Sequence, residues 1–496
     1  MKRKIKYIAV STLSLALLVA GGITLAHNKS TFAATEHWND ASMEATKWVN
    51  YKNNWPSLSK NYQNVALTPG EDETKLNFAW YCETNEEPKV RISRDCTKMD
   101  KAKVYNGKQT PIDLESLKGY YSNKVTVKNL RENTTYYYQV YQNGIWMDVQ
   151  TYTTKSFKGF SFLYVGDPQI GACKGQSSSE SESMSESGSN LAARNDAYNW
   201  NNILSDAVKE HPNVSFIVSA GDQVNTATSE EEYAGYLSAD VLTSLPVATT
   251  IGNHDSKSVQ YSLHYNNPNT FSSKETKYTT GSTVAGTDYY YRYGNALFIV
   301  LDTNNYNCAT HQNVIRKAIS ENKDAKWRVV TFHQDIYGSG LDHSDSDGMI
   351  LRTQLTPIMD KYDIDVVLQG HDHTYSRTYQ LTSDGSSHAA YDNNSNIEIE
   401  NYLKENQCYK IQSKKASGTI VNPKGTIYLE ANSATGSKFY NLIPTKQDYI
   451  AERSQTWTPS YSVINVTKNT FSITTYDATT GKVLEGSSKY TIKKTK

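Results

Sequence analysis

Hydrophobic positions along the chain change period at two points. From Val65 to Lys155 they alternate: KLNFAWY, KVRIS and NKVTV place apolar residues at every second position, and TTYYYQVY is β-branched and aromatic, with turn residues between the runs. Period-two patterning in short segments predicts strands, and several in succession predict a β-sandwich over residues 65–155. After Phe160 the pattern becomes mixed. Apolar runs such as FSFLYV and VSFIVSA alternate with the helical stretch NLAARNDAYNWNNILSDAVKEH, which predicts an α/β domain over 160–496. Its last part returns to strands, in GTIYLEANS and the hairpin-like TFSITTYDATTGKV. Residues 35–64, with Trp38, Trp48, Trp55 and Tyr62 set among polar positions, read as a helical lead-in.

Two segments fall outside this patterning. Lys2, Arg3, Lys4 and Lys6 precede an apolar run from Ile8 to Ala26, and small residues follow at Thr31, Ala33 and Ala34. This is the layout of a secretory signal over residues 1–34, removed on export; an uncleaved membrane anchor is the alternative, since the run is just long enough to span a bilayer. The stretch QSSSESESMSESGSN, residues 176–190, has almost no apolar residue and reads as a solvated loop, with an entrance flap as the second reading.

Charge narrows the partners. Lys+Arg and Asp+Glu are equal at 51 each, so the chain lacks the basic excess of a nucleic-acid-tracking or membrane-surface protein. After cleavage of the signal, no other segment is apolar enough for a membrane. The five cysteines include no C-x-x-C pair, so thiolates are not expected to hold a metal. Export permits disulfides, and Cys82 and Cys96 lie in one small domain; whether they bridge is left open. The oligomeric state is not legible.

The chemistry lies where apolar runs end. FLYV runs into Gly166-Asp167-Pro168-Gln169, FIVSA into Gly221-Asp222-Gln223-Val224-Asn225, and PVATTI into Gly252-Asn253-His254-Asp255. WRVVTF runs into His333, and DVVLQ into Gly370-His371-Asp372-His373. Ligands of open α/β sheets sit beyond the carboxyl ends of the strands, so all five clusters are expected on one sheet edge. Two carboxylates, an amide oxygen and three imidazoles exceed the needs of one tetrahedral site. They suit two cations about 3.5–4 Å apart that share a bridging carboxylate. An O/N set without thiolate points to iron, manganese or zinc.

The order D…GD…GNHD…H…GHDH resembles the calcineurin-like metallophosphoesterases. With the sandwich before it, which is itself similar to a fibronectin type III module through Leu130, Thr134, Tyr136, Tyr138 and Val140, the chain resembles the secreted bacterial purple acid phosphatases. The resemblance implies that Asp167 and His373 bind a first metal, Asp222 bridges, and Asn253, His333 and His371 bind a second. It further implies hydrolysis of small phosphate esters by a metal-activated water, with His254 as general acid or phosphate-binding residue and Asp255 beside it to orient the ring. Two positions depart from the purple pattern. Asn225 stands where those enzymes carry the tyrosine that gives their colour, and Gln169 stands where they carry glycine. Either side chain, or water, is expected to complete the first site, and the protein is expected not to be purple.

Outer contacts are less defined. His343 is a candidate substrate contact, and Arg377 reads equally as a substrate-phosphate contact or as a surface or core-framing arginine, while Asp335 and Asp372 read as turn or supporting residues. His264, His311 and His388 read as ordinary histidines. The leading activity is an acid phosphatase-type phosphomonoesterase. A phosphodiesterase acting on nucleotides or wall polymers uses the same core, and a non-catalytic surface protein is the reading from a different class.

Overall fold

Strand Leu76–Cys82 is buried along its whole length, although an edge-to-core strand of a small sandwich should bury only alternate residues. The computed structural model explains both faces. It describes residues 46–175, 188–271, 281–341, 343–344, 347–388, 401–402 and 405–495. Leu76, Phe78, Trp80 and Cys82 point into the core of an antiparallel sandwich. On the other face Asn77 donates to the Asn266 carbonyl at 2.7 Å and Tyr81 stacks on His264 at 4.4 Å, both in the following domain.

The sandwich has two sheets. One orders Ala66–Pro69, Leu76–Cys82, Tyr121–Val127 and Lys108–Pro111; the other orders Lys103–Asn106, Lys89–Ser93, Thr135–Gln142 and Ile145–Trp146, with Gln150–Thr153 also paired to Thr135–Gln142. Each strand read from alternation is present. Cys82 and Cys96 are not bridged, and all five cysteines are free thiols. The reason is directional: Cys82 faces the sandwich core, whereas Cys96 is exposed at the start of a 3-10 turn.

The lead-in contains helix Thr46–Leu58. Its tryptophans do not join the sandwich; Trp55 enters the core of the second domain, and Trp48 packs edge-on against Tyr198 of helix Gly188–Glu210 at 4.9 Å. That helix begins at Gly188, inside the segment expected to be a loop; residues 176–187 lie outside the described residues, as does the expected signal. Among the described residues no helix is long and apolar enough to cross a membrane.

The second domain is built from two seven-stranded mixed sheets facing one another. The first orders Val247–Ala248, Val214–Ser219, Phe160–Val165, Ser460–Val466, Thr470–Asp477, Tyr490–Lys493 and Gly418–Val421. The second orders Tyr289–Tyr293, Ala296–Val300, Trp327–Thr331, Val366–Gln369, Ile427–Glu430, Tyr375–Thr378 and Ile450–Ser454. Phe162, Phe216, Phe298, Val329, Leu368 and Leu429 belong to the shared core between them. Helices Gly188–Glu210 and Glu230–Leu237 cover the first sheet, and Cys308–Glu321 and Asp347–Lys361 cover the second. Buried on both faces, the central strands read as continuous apolar runs rather than alternating ones.

This corrects the expectation of one open-sheet edge. The strands ending in Asp167, Asp222 and Asn253 run parallel in the first sheet, and those ending in His333 and His371 run parallel in the second. Tyr164 ties the two edges, its hydroxyl donating to the Gln369 carbonyl across the gap.

Candidate metal centre

Backbone conformation at the strand ends is unusual. Asp167, Asp222, His371 and His373 all have positive φ, at 45°, 49°, 82° and 46°. Non-glycine residues rarely adopt this region, and such strain gathers at functional sites. The glycine ahead of each cluster serves mainly close packing. A Cβ at Gly370 would stand 2.5 Å from Asp167 Oδ2, one at Gly221 2.5 Å from His333 Nδ1, and one at Gly252 would overlap Asp222. Only Gly221 among these needs glycine for its own torsion, at φ +119°.

These turns bring the six donors together. His333 Nε2 lies 2.9 Å from Asn253 Oδ1, 3.4 Å from Asp222 Oδ2 and 3.1 Å from His371 Nδ1. His373 Nε2 lies 3.7 Å from Asp167 Oδ1, and Asp167 accepts the His371 backbone N–H. Backbone carbonyls fix two of the rings: Ala220 O takes the His333 Nδ1 proton at 3.0 Å, and Lys438 O takes that of His373 at 2.8 Å. Each ring therefore turns its Nε2 inward, the atom through which it would ligate a metal. Asp167, Asp222, His333, His371 and His373 are all buried, and Asn253 is half-buried.

Electrostatics follow from that burial. Removal from water raises the Asp167 carboxyl to about 7, although His333 draws it down. Burial also works against Asp222, but His333 and His254 outweigh it and hold the carboxyl below its ordinary range. His333 is pushed up to about 10: desolvation opposes this, and the Asp222 and Asp167 carboxylates prevail. Burial and the Lys438 charge keep His373 neutral. Facing ring nitrogens and buried carboxylates are a donor set that fits cations.

The remaining candidates divide. His254 Nδ1 lies 2.6 Å from the Asn225 carbonyl, and its backbone N–H donates to Asp222 Oδ1 at 2.9 Å. Asp255 does not orient that ring. Its carboxylate instead accepts the backbone N–H groups of Gln223 and Gly252, at 3.2 and 2.9 Å, and so clamps the Asp222 and Asn253 turns together. Gln169 Nε2 donates to Asn225 Oδ1 at 3.3 Å, which leaves the buried Gln169 Oε1 without a hydrogen-bond partner. His343 packs against His371 at 3.9 Å and against Tyr440 at 5.6 Å.

Arg377 is not at the site. It is fully buried in strand Tyr375–Thr378, pairs with Glu452 at 3.0 Å, and lies 4.2 Å over the Tyr490 ring. His264, His311 and His388 each pair with a carboxylate away from the cluster, Glu230, Asp288 and Asp384 respectively. A cavity of about 490 Å³ lies at the opposite strand ends, lined by Lys326, Arg328, Asp365 and Lys494, and is no part of this centre. Sequence reasoning missed the carbonyls of Ala220, Asn225 and Lys438. Any residue type supplies a carbonyl, so no sequence signal marks them.

Two facing mixed sheets with helices outside carry a buried O/N donor set on their shared edge, with an all-β domain in front. The Calcineurin-like phosphoesterase family matches residues 160–375, and the Purple acid Phosphatase, N-terminal domain family matches residues 62–154. The chain thus carries a calcineurin-like phosphoesterase domain preceded by a purple acid phosphatase N-terminal domain. Among solved structures it is similar to purple acid phosphatase PPD1 from yellow lupin (Lupinus luteus) seeds, at 13% identity and a TM-score of 0.58, over 87% of this chain and 74% of that one. This likeness shows the shared fold. PhoD is 12% identical with a TM-score of 0.48, over 87% of this chain and 95% of that one. No curated protein matches the chain.

Proposed function

We propose that this protein is an exported phosphohydrolase with a dinuclear metal centre, acting on phosphate monoesters of small molecules. The observation that carries the reading is the convergence of His333 Nε2, His371 Nδ1, Asn253 Oδ1 and Asp222 within 3.4 Å contacts of His333, with Asp167 and His373 alongside. Polar and charged groups gathered this way away from water are costly unless they are paired or hold a cation. Asp167 and His373 would hold one ion, Asn253, His333 and His371 the other, and Asp222 would serve both. Two such cations, when bound, neutralise phosphoryl oxygens and acidify water.

The chain's own residues supply orientation and a proton. A carbonyl only accepts, so the bond to Asn225 O places a proton on His254 Nδ1. Nε2 is then the ring atom that serves the substrate. As an imidazolium it donates to the leaving oxygen; as a neutral ring it does not. Asp222 Oδ1 holds the His254 backbone, so the ring moves with the bridging carboxylate. Asn225 cannot form a tyrosinate, so the iron-loaded protein should show no tyrosinate charge-transfer band in the visible.

Paired turnover of a chromogenic phosphate monoester and diester by the metal-reconstituted protein tests this reading. Monoester preference supports it. Diester preference would move the substrate to nucleotides or polymers, and silence on both with manganese, zinc and iron would contradict it.

A further inference from the structure

Three further carboxylates meet beside the centre and are used by none of the roles above. One oxygen each of Asp335, Asp372 and Glu430 lies within 4.8 Å of the others, and all three side chains are fully buried. Asp335 follows His333 by two residues, Asp372 separates His371 from His373, and Glu430 ends the neighbouring strand Ile427–Glu430. The three are joined to the candidate ligands by the same turns.

Glu430 is well satisfied, accepting from Thr374 Oγ1 at 2.7 Å, Ser376 Oγ at 2.6 Å and the Ser339 N–H at 3.2 Å. Asp335 and Asp372 are not. Each has an Oδ1 that is buried without any hydrogen-bond partner. Their Oδ2 atoms both contact the single hydroxyl of Ser344, which has one proton to give and whose oxygen already accepts the Gly340 N–H at 2.9 Å. No Lys, Arg or His ion pair reaches any of the three among the described residues. Loop residues 338–340 close the group: a Cβ at Gly340 would stand 2.6 Å from Asp372 Oδ2, and one at Gly338 would overlap Asp335. Three buried carboxylates without a counter-charge, two with an unsatisfied oxygen, call for a positive charge among them.

We propose that Asp335, Asp372 and Glu430 hold a hard divalent cation, calcium or magnesium, in a closed all-oxygen site that braces the His333 and His371–His373 turns. Carboxylate and hydroxyl oxygens without nitrogen select such ions over the transition metals suited to the neighbouring centre. The role is structural. The ion touches no substrate, and its loss loosens the turns that aim three histidines. This site differs from the expectation that Asp335 and Asp372 are turn residues, and it does not depend on the phosphohydrolase reading.

Metal analysis of the full-length protein, purified without chelators and dialysed against calcium and then metal-free buffer, tests the site. The expected result is one tightly held calcium or magnesium per chain that persists in Asp222→Ala, a variant directed at the transition-metal centre. Glu430→Gln and Asp372→Asn should lose the ion and the upward Tm shift that calcium gives the chelator-stripped wild type. Should those variants fail to fold, the calcium dependence of the wild-type Tm decides alone. A wild type with no such ion and a calcium-independent Tm overturns the proposal, since the carboxylates then share protons. Undiminished calcium in both variants overturns it equally.

Discussion

His254 is held through one ring nitrogen by a carbonyl and through its backbone by Asp222, so its chemistry can be removed without dismantling the centre. His254→Ala should lower monoester kcat by about 10²–10⁴-fold, the usual span for a lost proton donor, with metal content unchanged by elemental analysis. Asp255 behaves oppositely. Its carboxylate meets only backbone N–H groups at Gln223 and Gly252 among its hydrogen bonds, so Asp255→Ala should lower Tm and metal occupancy together. Glu232 gives a pH signature. Burial pushes its carboxyl from an ordinary 4.5 to about 8, despite its bond from the Thr226 N–H at 2.6 Å. The folded chain then binds more protons than the unfolded one between those values, so this residue's contribution to stability falls as pH rises from 4.5 to 8. Thermal unfolding across that window should show a slope that Glu232→Gln flattens; an equal slope in both proteins would contradict the assignment.

At the scale of elements, legibility depended on whether a signal was local. The five polar clusters stood out because each follows a short apolar strand, and they converge as the sequence led one to expect, though from two facing sheets rather than one. Their division between two sheets was not legible, because Phe160–Val165 and Val366–Gln369 meet only through contacts some 200 residues apart, such as that of Tyr164 with Gln369. Arg377 stayed open between a phosphate contact and a core-framing arginine for a related reason, and the structure makes it the second. It lies only four residues after His373, but strand Tyr375–Thr378 carries it between Ile427–Glu430 and Ile450–Ser454, into the interior. Arg377→Met should therefore cost about 3 kcal/mol by leaving Glu452 unpaired, while KM for a monoester stays at its wild-type value; chemical denaturation and steady-state kinetics separate the two.

Across the whole molecule, the sandwich packs onto the second domain. Ser122, Lys124 and Tyr138 donate to the carbonyls of Leu263, Ser262 and Thr243, at 2.7, 2.6 and 2.7 Å. Helix Gln260–His264, which receives the first two of these contacts, follows the Asn253–His254 turn by a few residues. Sequence showed two domains but not this seam, since the second face of Leu76–Cys82 reads like any sandwich strand. The seam predicts one cooperative calorimetric transition rather than two. Through this seam the sandwich supports the metal centre of the second domain. The most direct test of that centre is transition-metal content and monoester turnover measured on the same samples of wild type and Asp222→Ala. Two transition-metal ions per chain with turnover in the wild type, both lost in the variant, is the predicted result. Turnover that survives in Asp222→Ala, or a wild type that takes up no transition metal, would contradict it.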